Sequence, residues 1–161
     1  IRFSESNRIF AAVFDYEIGR LDLHQCADAA IYLRATYNYA HKFFDRLIYT
    51  FTNGHMTSYK DYLDGAKYLS VDNGADIKKV YIKPREDNFK TFRDWLNIVW
   101  NYAGTWSLEN YDSYAIYISD IRPGDIFIQG GFPGHAVTVV DVAVNRNNEK
   151  VVIFSNNYSS F

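Results

Sequence analysis

The sequence predicts an α+β fold, and three observations carry that expectation. Apolar residues recur at helical spacing through much of the first two thirds of the chain, the last third changes to short β-rich runs, and Gly, Pro and Asn clusters separate those runs. Helices first and an antiparallel meander afterwards is the order of an α+β domain. At 161 residues the chain is expected to form a single domain, residues 1–161, large enough for one real core.

The elements follow in order. Residues 10–17 are rich in β formers and read as a strand, which Ile18-Gly19-Arg20 turns. Asp22 with Gln25 three residues later fits a capping box and places Cys26 in the first turn of a helix. Cys26, Ala29, Ala30, Leu33, Tyr37, Ala40, Phe44 and Leu47 then keep helical spacing, so this early helix is expected to run about seven turns with Cys26 on its buried stripe. Beyond Thr52-Asn53-Gly54, residues 58–66 show a weaker helical pattern, 71–75 read as loop, and 77–83 as a short strand closed by Pro84. Asn88 caps a second helix with Phe89, Phe92, Leu96, Val99 and Ala103 on one face, and Gly104 is its expected stop. Residues 115–119, 125–129, 135–144 and 150–155 are the β-rich runs. The early helix should pack on a sheet of at least four antiparallel strands that includes the one opening at His135.

Composition narrows the function classes. Hydrophobic residues make up 48% of the chain and aromatics 18%, which marks a folded domain and not a disordered segment. Seventeen Lys and Arg against nineteen Asp and Glu leave a net charge of −2 with no basic stripe, so a nucleic-acid partner has no electrostatic support. No apolar run approaches the ~20 residues of a membrane span. The chain opens Ile1-Arg2-Phe3 without an initiator Met, which suggests a trimmed or partial product. No cofactor is implied, and the four histidines lack the spacing of a zinc site, so no metal is expected.

One cysteine and one histidine carry the chemistry. A thiol at a helix start is in the place where the helix dipole and a neighbouring imidazolium lower its pKa, and the thiolate is the reactive form. His135 follows Pro133-Gly134 at the head of a strand, where it can serve as the base. The bland alternatives are a buried core thiol and a strand-end histidine in a turn. The backbone N–H of Cys26 is a natural oxyanion donor, with Gln25 or His24 as side-chain candidates, although Gln25 is equally explained by the capping box. His55 is a candidate for the cleft wall. Asp141 shares the face of His135 by period-2 counting, but it lies about 20 Å along the strand.

The segments Gln25-Cys26, Ile121-Arg122-Pro123-Gly124-Asp125-Ile126-Phe127-Ile128 and Gly134-His135-Ala136-Val137-Thr138 resemble the catalytic surroundings of papain-like cysteine amidases and peptidases of the NlpC-type and CHAP families. A longer likeness, from about Phe10 to the end, is to an uncharacterised family of bacterial envelope proteins, a domain of unknown function. It is carried by Gln25-Cys26-Ala27-Asp28-Ala29, Phe51-x-x-Gly54-His55, Tyr102-Ala103-Gly104-Thr105 and Phe127-Ile128-Gln129-Gly130-Gly131-x-Pro133-Gly134-His135-Ala136-Val137.

The first resemblance implies a papain-like fold and a Cys-His-Asn hydrolase of amide bonds in cell-wall peptides. It puts Asn156 in the orienting position, with Asn157 as the near alternative because a one-residue register shift exchanges their faces. It also implies a peptide or peptidoglycan-like substrate and a place in the cell envelope or periplasm. A non-catalytic envelope binding or structural domain on the same fold, and an acyltransferase using the same thioester, are the competing readings. The oligomeric state is not legible.

Overall fold

The structure, a computed structural model, describes residues 26–72 and 76–155. The expected strand at 10–17, the Asp22–Gln25 capping box, His24, Asn156 and Asn157 lie outside the described residues. Within them the architecture is α+β with antiparallel sheets, as the element order predicts.

The first helix, α1 (Cys26–Ala40), stops seven residues short of Leu47. The stop is a Schellman closure: Phe43 N–H donates to Asn38 O at 2.8 Å and Lys42 N–H to Tyr39 O at 3.0 Å. Lys42 takes the left-handed conformation that glycine usually supplies, with φ of 59°. Its ammonium lies 4.8 Å over the Tyr39 ring and 3.4 Å from Asp87, contacts that favour this conformation. The buried face of α1 is Ala27, Ala30, Ile31, Ala35 and Asn38, rotated about one residue from the expected stripe, while Tyr37 is exposed. Cys26 therefore sits at the margin of the buried face and is half-buried.

A 3-10 turn at Phe44–Arg46 replaces the last turns of the expected helix, and the chain then forms a hairpin of β1 (Ile48–Thr50) and β2 (Met56–Ser58), which has no counterpart in the sequence reading. Ser58 then caps α2 (Tyr59–Leu63), its Oγ accepting from Asp61 N–H at 3.0 Å. A second hairpin pairs β3 (Ala66–Val71) with β4 (Asp76–Tyr81); β3 has no counterpart in the sequence reading. Gly65 between α2 and β3 has φ of +105°, and a Cβ there would fall 2.3 Å from Ile82 O.

The helix α3 (Phe89–Tyr102) is as expected, with Asn88 Oδ1 accepting from Thr91 N–H at 2.9 Å. Gly104 does not merely stop it. One residue past the Ala103 C-cap, Gly104 opens another helix, α4 (Thr105–Asn110), its N–H donating to Ser107 Oγ at 3.0 Å. Residues 115–117 are irregular and Ile118–Asp120 form a 3-10 turn, so the strand expected at 115–119 is absent. This segment stays exposed and finds no partner strand among the described residues. The last sheet orders β5 (Ile126–Gln129), β6 (His135–Val144) and β7 (Lys150–Ser155), three strands among the described residues and not four. A bulge between Val139 and Asp141 breaks the alternation in β6, so counting by two from His135 to Asp141 fails.

Aromatic rings dominate the core. Phe92, Trp95, Tyr59, Tyr49 and Phe51 are buried with Leu47, Leu96, Val99 and Ile31. Tyr39 stacks on Phe92 at 4.2 Å, and Tyr59 meets Phe92 edge-on at 5.8 Å. Two of the buried polar ends are paired: Trp95 Nε1–H donates to Thr57 Oγ1 at 2.9 Å, and Tyr49 OH donates to Ile31 O at 3.2 Å. α1 packs on this core and also on β6, which joins the two halves.

One carboxylate ties the first hairpin to the end of α4. Asp112 accepts from Thr50 N–H at 2.9 Å and from Thr50 Oγ1 at 2.8 Å. Burial raises its carboxyl above the ordinary carboxylate range, against the lowering pull of the Thr50 hydrogen bonds and the Arg34 charge. The folded state thus holds this proton more tightly than the unfolded chain, so the contribution of Asp112 to stability is greatest at acid pH and falls as pH rises through its folded pKa. Asp112→Ala strands both Thr50 donors in a buried position and should cost about 1–3 kcal/mol, read as a lower urea midpoint. Asp112→Asn keeps one acceptor and should cost less. Equal midpoints for wild type and Asp112→Ala would show that the tie contributes nothing.

Candidate active site

Cys26 and the loop that ends at His135 meet, as the sequence order predicts. The β5–β6 hairpin pairs Gln129 with His135 and so closes the loop 130–134 over the opening turn of α1. Cys26 Sγ lies 4.0 Å from Gly134 O, the carbonyl of the residue directly before His135, and that carbonyl is its hydrogen-bond acceptor. His135 itself is exposed at the head of β6.

The loop is pinned, not loose. Thr105 Oγ1–H donates to Gly131 O at 3.3 Å. Gly134 has no room for a side chain: a Cβ would fall 2.1 Å from Thr105 Oγ1, 2.7 Å from Gly131 O and 2.8 Å from Gln129 O. Two of those three atoms are backbone, so only glycine lets the strand head approach α4 and the thiol this closely.

A cavity of about 410 Å³ opens beside the thiol. Its wall runs from Cys26 and Asp28 on α1, across Trp100 and Tyr102 at the end of α3, to Thr105 and the loop at Phe132. Asp28 is buried. A second cavity of about 340 Å³ adjoins it and shares Thr52, Asn101 and Tyr102. The saddle between them is a backbone clamp, Thr52 N–H and Oγ1–H donating to Tyr102 O at 2.8 Å and 3.0 Å.

His55, half-buried at the tip of the first hairpin, borders neither cavity. Its N–H donates to Asn53 Oδ1 at 3.1 Å, and its carbonyl accepts from Phe51 N–H at 2.8 Å, which is the work of a turn residue. Gln25, Asn156 and Asn157 fall outside the described residues, although Ser155, directly before Asn156, pairs with Thr138, three residues along β6 from His135. Asp28, Tyr102, Thr105 and Phe132 were not singled out from sequence as site residues. Their signal was present only as segments of the family likeness: Asp28 in Gln25-Cys26-Ala27-Asp28-Ala29, Phe132 at the variable position between Gly131 and Pro133, and Tyr102 and Thr105 in Tyr102-Ala103-Gly104-Thr105, where a helix stop turns out to be a helix start as well. No three His, Cys, Asp or Glu side chains converge as a metal would require, among the described residues.

Taken by its fold and its site, this is an α+β protein with a half-buried thiol in the wall of an open cavity beside a glycine-rich hairpin. The chain belongs to the family described as Domain of unknown function (4846), whose model matches residues 2–160. No curated protein and no solved structure matches it.

Proposed function

We propose that the protein is a cysteine hydrolase of amide bonds, with Cys26 as nucleophile and His135 as base, acting on cell-wall peptides in the bacterial envelope. The observation that supports it best is the place of the thiol: half-buried on the wall of the 410 Å³ cavity, against the residue that precedes His135. In this reading His135 takes the Cys26 proton and the thiolate attacks the amide carbonyl. The Cys26 N–H at the opening of α1 stabilises the oxyanion. The tetrahedral intermediate then expels the amine, which leaves with the proton from His135, and a thioester remains. His135 next activates a water that breaks the thioester, releasing the carboxylic acid and restoring the thiol. Asn156 orients the imidazole, as the papain-like resemblance implies.

A second reading, a recognition domain without turnover, draws on the hydrogen bond of the thiol to Gly134 O and, among the described residues, not to an imidazole nitrogen. Thiol reactivity separates the two. Iodoacetamide should label Cys26 at pH 6–7 much faster than a free thiol of pKa about 8.5, and His135→Ala should slow that labelling at least tenfold. Equal rates in the two proteins would remove His135 from the mechanism. An inert Cys26 would favour recognition.

A further inference from the structure

Helix α4 is only six residues long, yet it is held along its whole length. Leu108 is buried in the aromatic core, and the buried Ser107 hydroxyl donates back to Gly104 O at 3.2 Å. Just past its last turn, the Asp112 carboxylate is bound to Thr50 of β1. From this base Thr105 and Glu109, four residues apart and therefore on one face, meet the β5–β6 hairpin in two places. Thr105 Oγ1 occupies the space that a side chain at Gly134 would need, and Glu109 does the same at Gly130. A Cβ at Gly130 would fall 2.5 Å from Glu109 Oε2, 3.1 Å from its Cβ and 3.2 Å from its Cδ. Gly130 and Gly134 are the two ends of the loop, next to the paired Gln129 and His135. Neither has a positive φ, so an alanine at either is opposed by space alone.

We propose that Thr105 and Glu109 are positioning residues: both ends of the loop are seated on one face of α4, and the seats hold the head of β6, Gly134 and His135, against Cys26. This rests on reading Cys26 and His135 as nucleophile and base. Cys26 Sγ is 4.0 Å from Gly134 O, so a shift at either seat moves the strand head relative to the sulfur with no other segment between them. A misplacement of about 1 Å is enough to cost an enzyme on the order of a hundredfold in rate. The two seats differ in what can relieve them. At Gly134 two of the three blocking atoms are the backbone carbonyl oxygens of Gly131 and Gln129, whereas at Gly130 all three belong to the Glu109 side chain. A methyl group added at Gly130 is therefore accommodated by shortening Glu109. One added at Gly134 is not accommodated by shortening Thr105.

The experiment follows iodoacetamide labelling of Cys26 in the full chain by mass spectrometry, with circular dichroism to confirm that each variant is folded. At neutral pH Thr105→Ala should slow labelling about tenfold, and Thr105→Ser, which keeps the hydroxyl, should restore most of the lost rate. Well above the pKa of a free thiol, where the thiolate forms without help, the same variants should label alike, which a general loosening of the site would not produce. Adding His135→Ala to Thr105→Ala should slow labelling by less than about twofold more, because the two changes remove one effect. Gly130→Ala should slow labelling severalfold, and Glu109→Ala in that background should speed it again. Thr105→Ala should bring no such recovery to Gly134→Ala; if Gly134→Ala does not fold, the Gly130 and Glu109 pair still decides. Labelling of Thr105→Ala at the wild-type rate or faster, additive slowing by Thr105→Ala and His135→Ala, or no recovery of Gly130→Ala by Glu109→Ala overturns the proposal. Failure of the hydrolase reading shows itself separately, as equal rates for wild type and His135→Ala.

Discussion

Cys26→Ala is expected to abolish the release of new amines from peptidoglycan fragments and peptide amides while leaving thermal unfolding nearly unchanged. The rate loss should be on the order of a millionfold, the scale seen when the nucleophile is removed from a serine peptidase. Stability is spared because the change takes away one half-buried sulfur at the margin of the packed face and installs the strongest helix former. Amine release is followed with an amine-reactive fluorophore, and unfolding by circular dichroism. The outcome that would sink the hydrolase is a wild-type protein that binds such fragments but releases no amine across a broad panel, with Cys26→Ala binding equally well. The protein would then be a recognition domain.

Trp95→Ala carries the largest expected cost in stability. The ring is fully buried between Tyr59 at 5.5 Å, Tyr49 at 5.9 Å and Phe92 at 6.3 Å. Removing it opens a cavity in the aromatic core and leaves the buried Thr57 hydroxyl without the indole N–H. The transfer and cavity losses together should reach about 3–5 kcal/mol. Against a total of about 5–15 kcal/mol for an ordinary domain, that leaves the protein marginal or unfolded at 37 °C. Chemical denaturation of wild type and variant measures it. A loss below about 1 kcal/mol would mean that the core collapses around the missing ring.

Much of the fold could be read from the chain where local signals were redundant. Helix α3 carries a side-chain cap at Asn88 and a continuous apolar face, and β6 and β7 are runs of β-branched residues bounded by turn formers. The end of α1 was hidden because Lys42, not glycine, adopts the left-handed closing position. Phe44 and Leu47 happen to continue the helical spacing past it, and the three-residue strands of the first hairpin are too short to show alternation. Leu33 and Tyr37 mark one apolar stripe on α1 and Ile31 and Ala35 another one residue away, and tertiary packing buries the second.

The site divides in the same way. That Cys26 and the 130–135 loop meet could be expected from element order taken with the papain-like resemblance. Thr105 and Phe132 could not, because their roles arise where α4 and the hairpin loop touch, a contact between segments 26 residues apart. His55 was singled out by its motif, yet the turn it occupies explains it without the cavity.

The α3–α4 junction has a consequence for inheritance. Only Ala103 and Gly104 separate the two helices, so the chain from Trp95 in the core to Thr105 at the rim has almost no slack. A lesion that tilts α3 is handed directly to the residue that holds Gly131 and, through it, the loop over the thiol. With Cys26 as the nucleophile proposed above, a screen for loss of function should therefore recover positions along α3 as readily as the thiol itself. Second-site suppressors of such lesions should map to the glycine-rich hairpin, far from the original change in sequence.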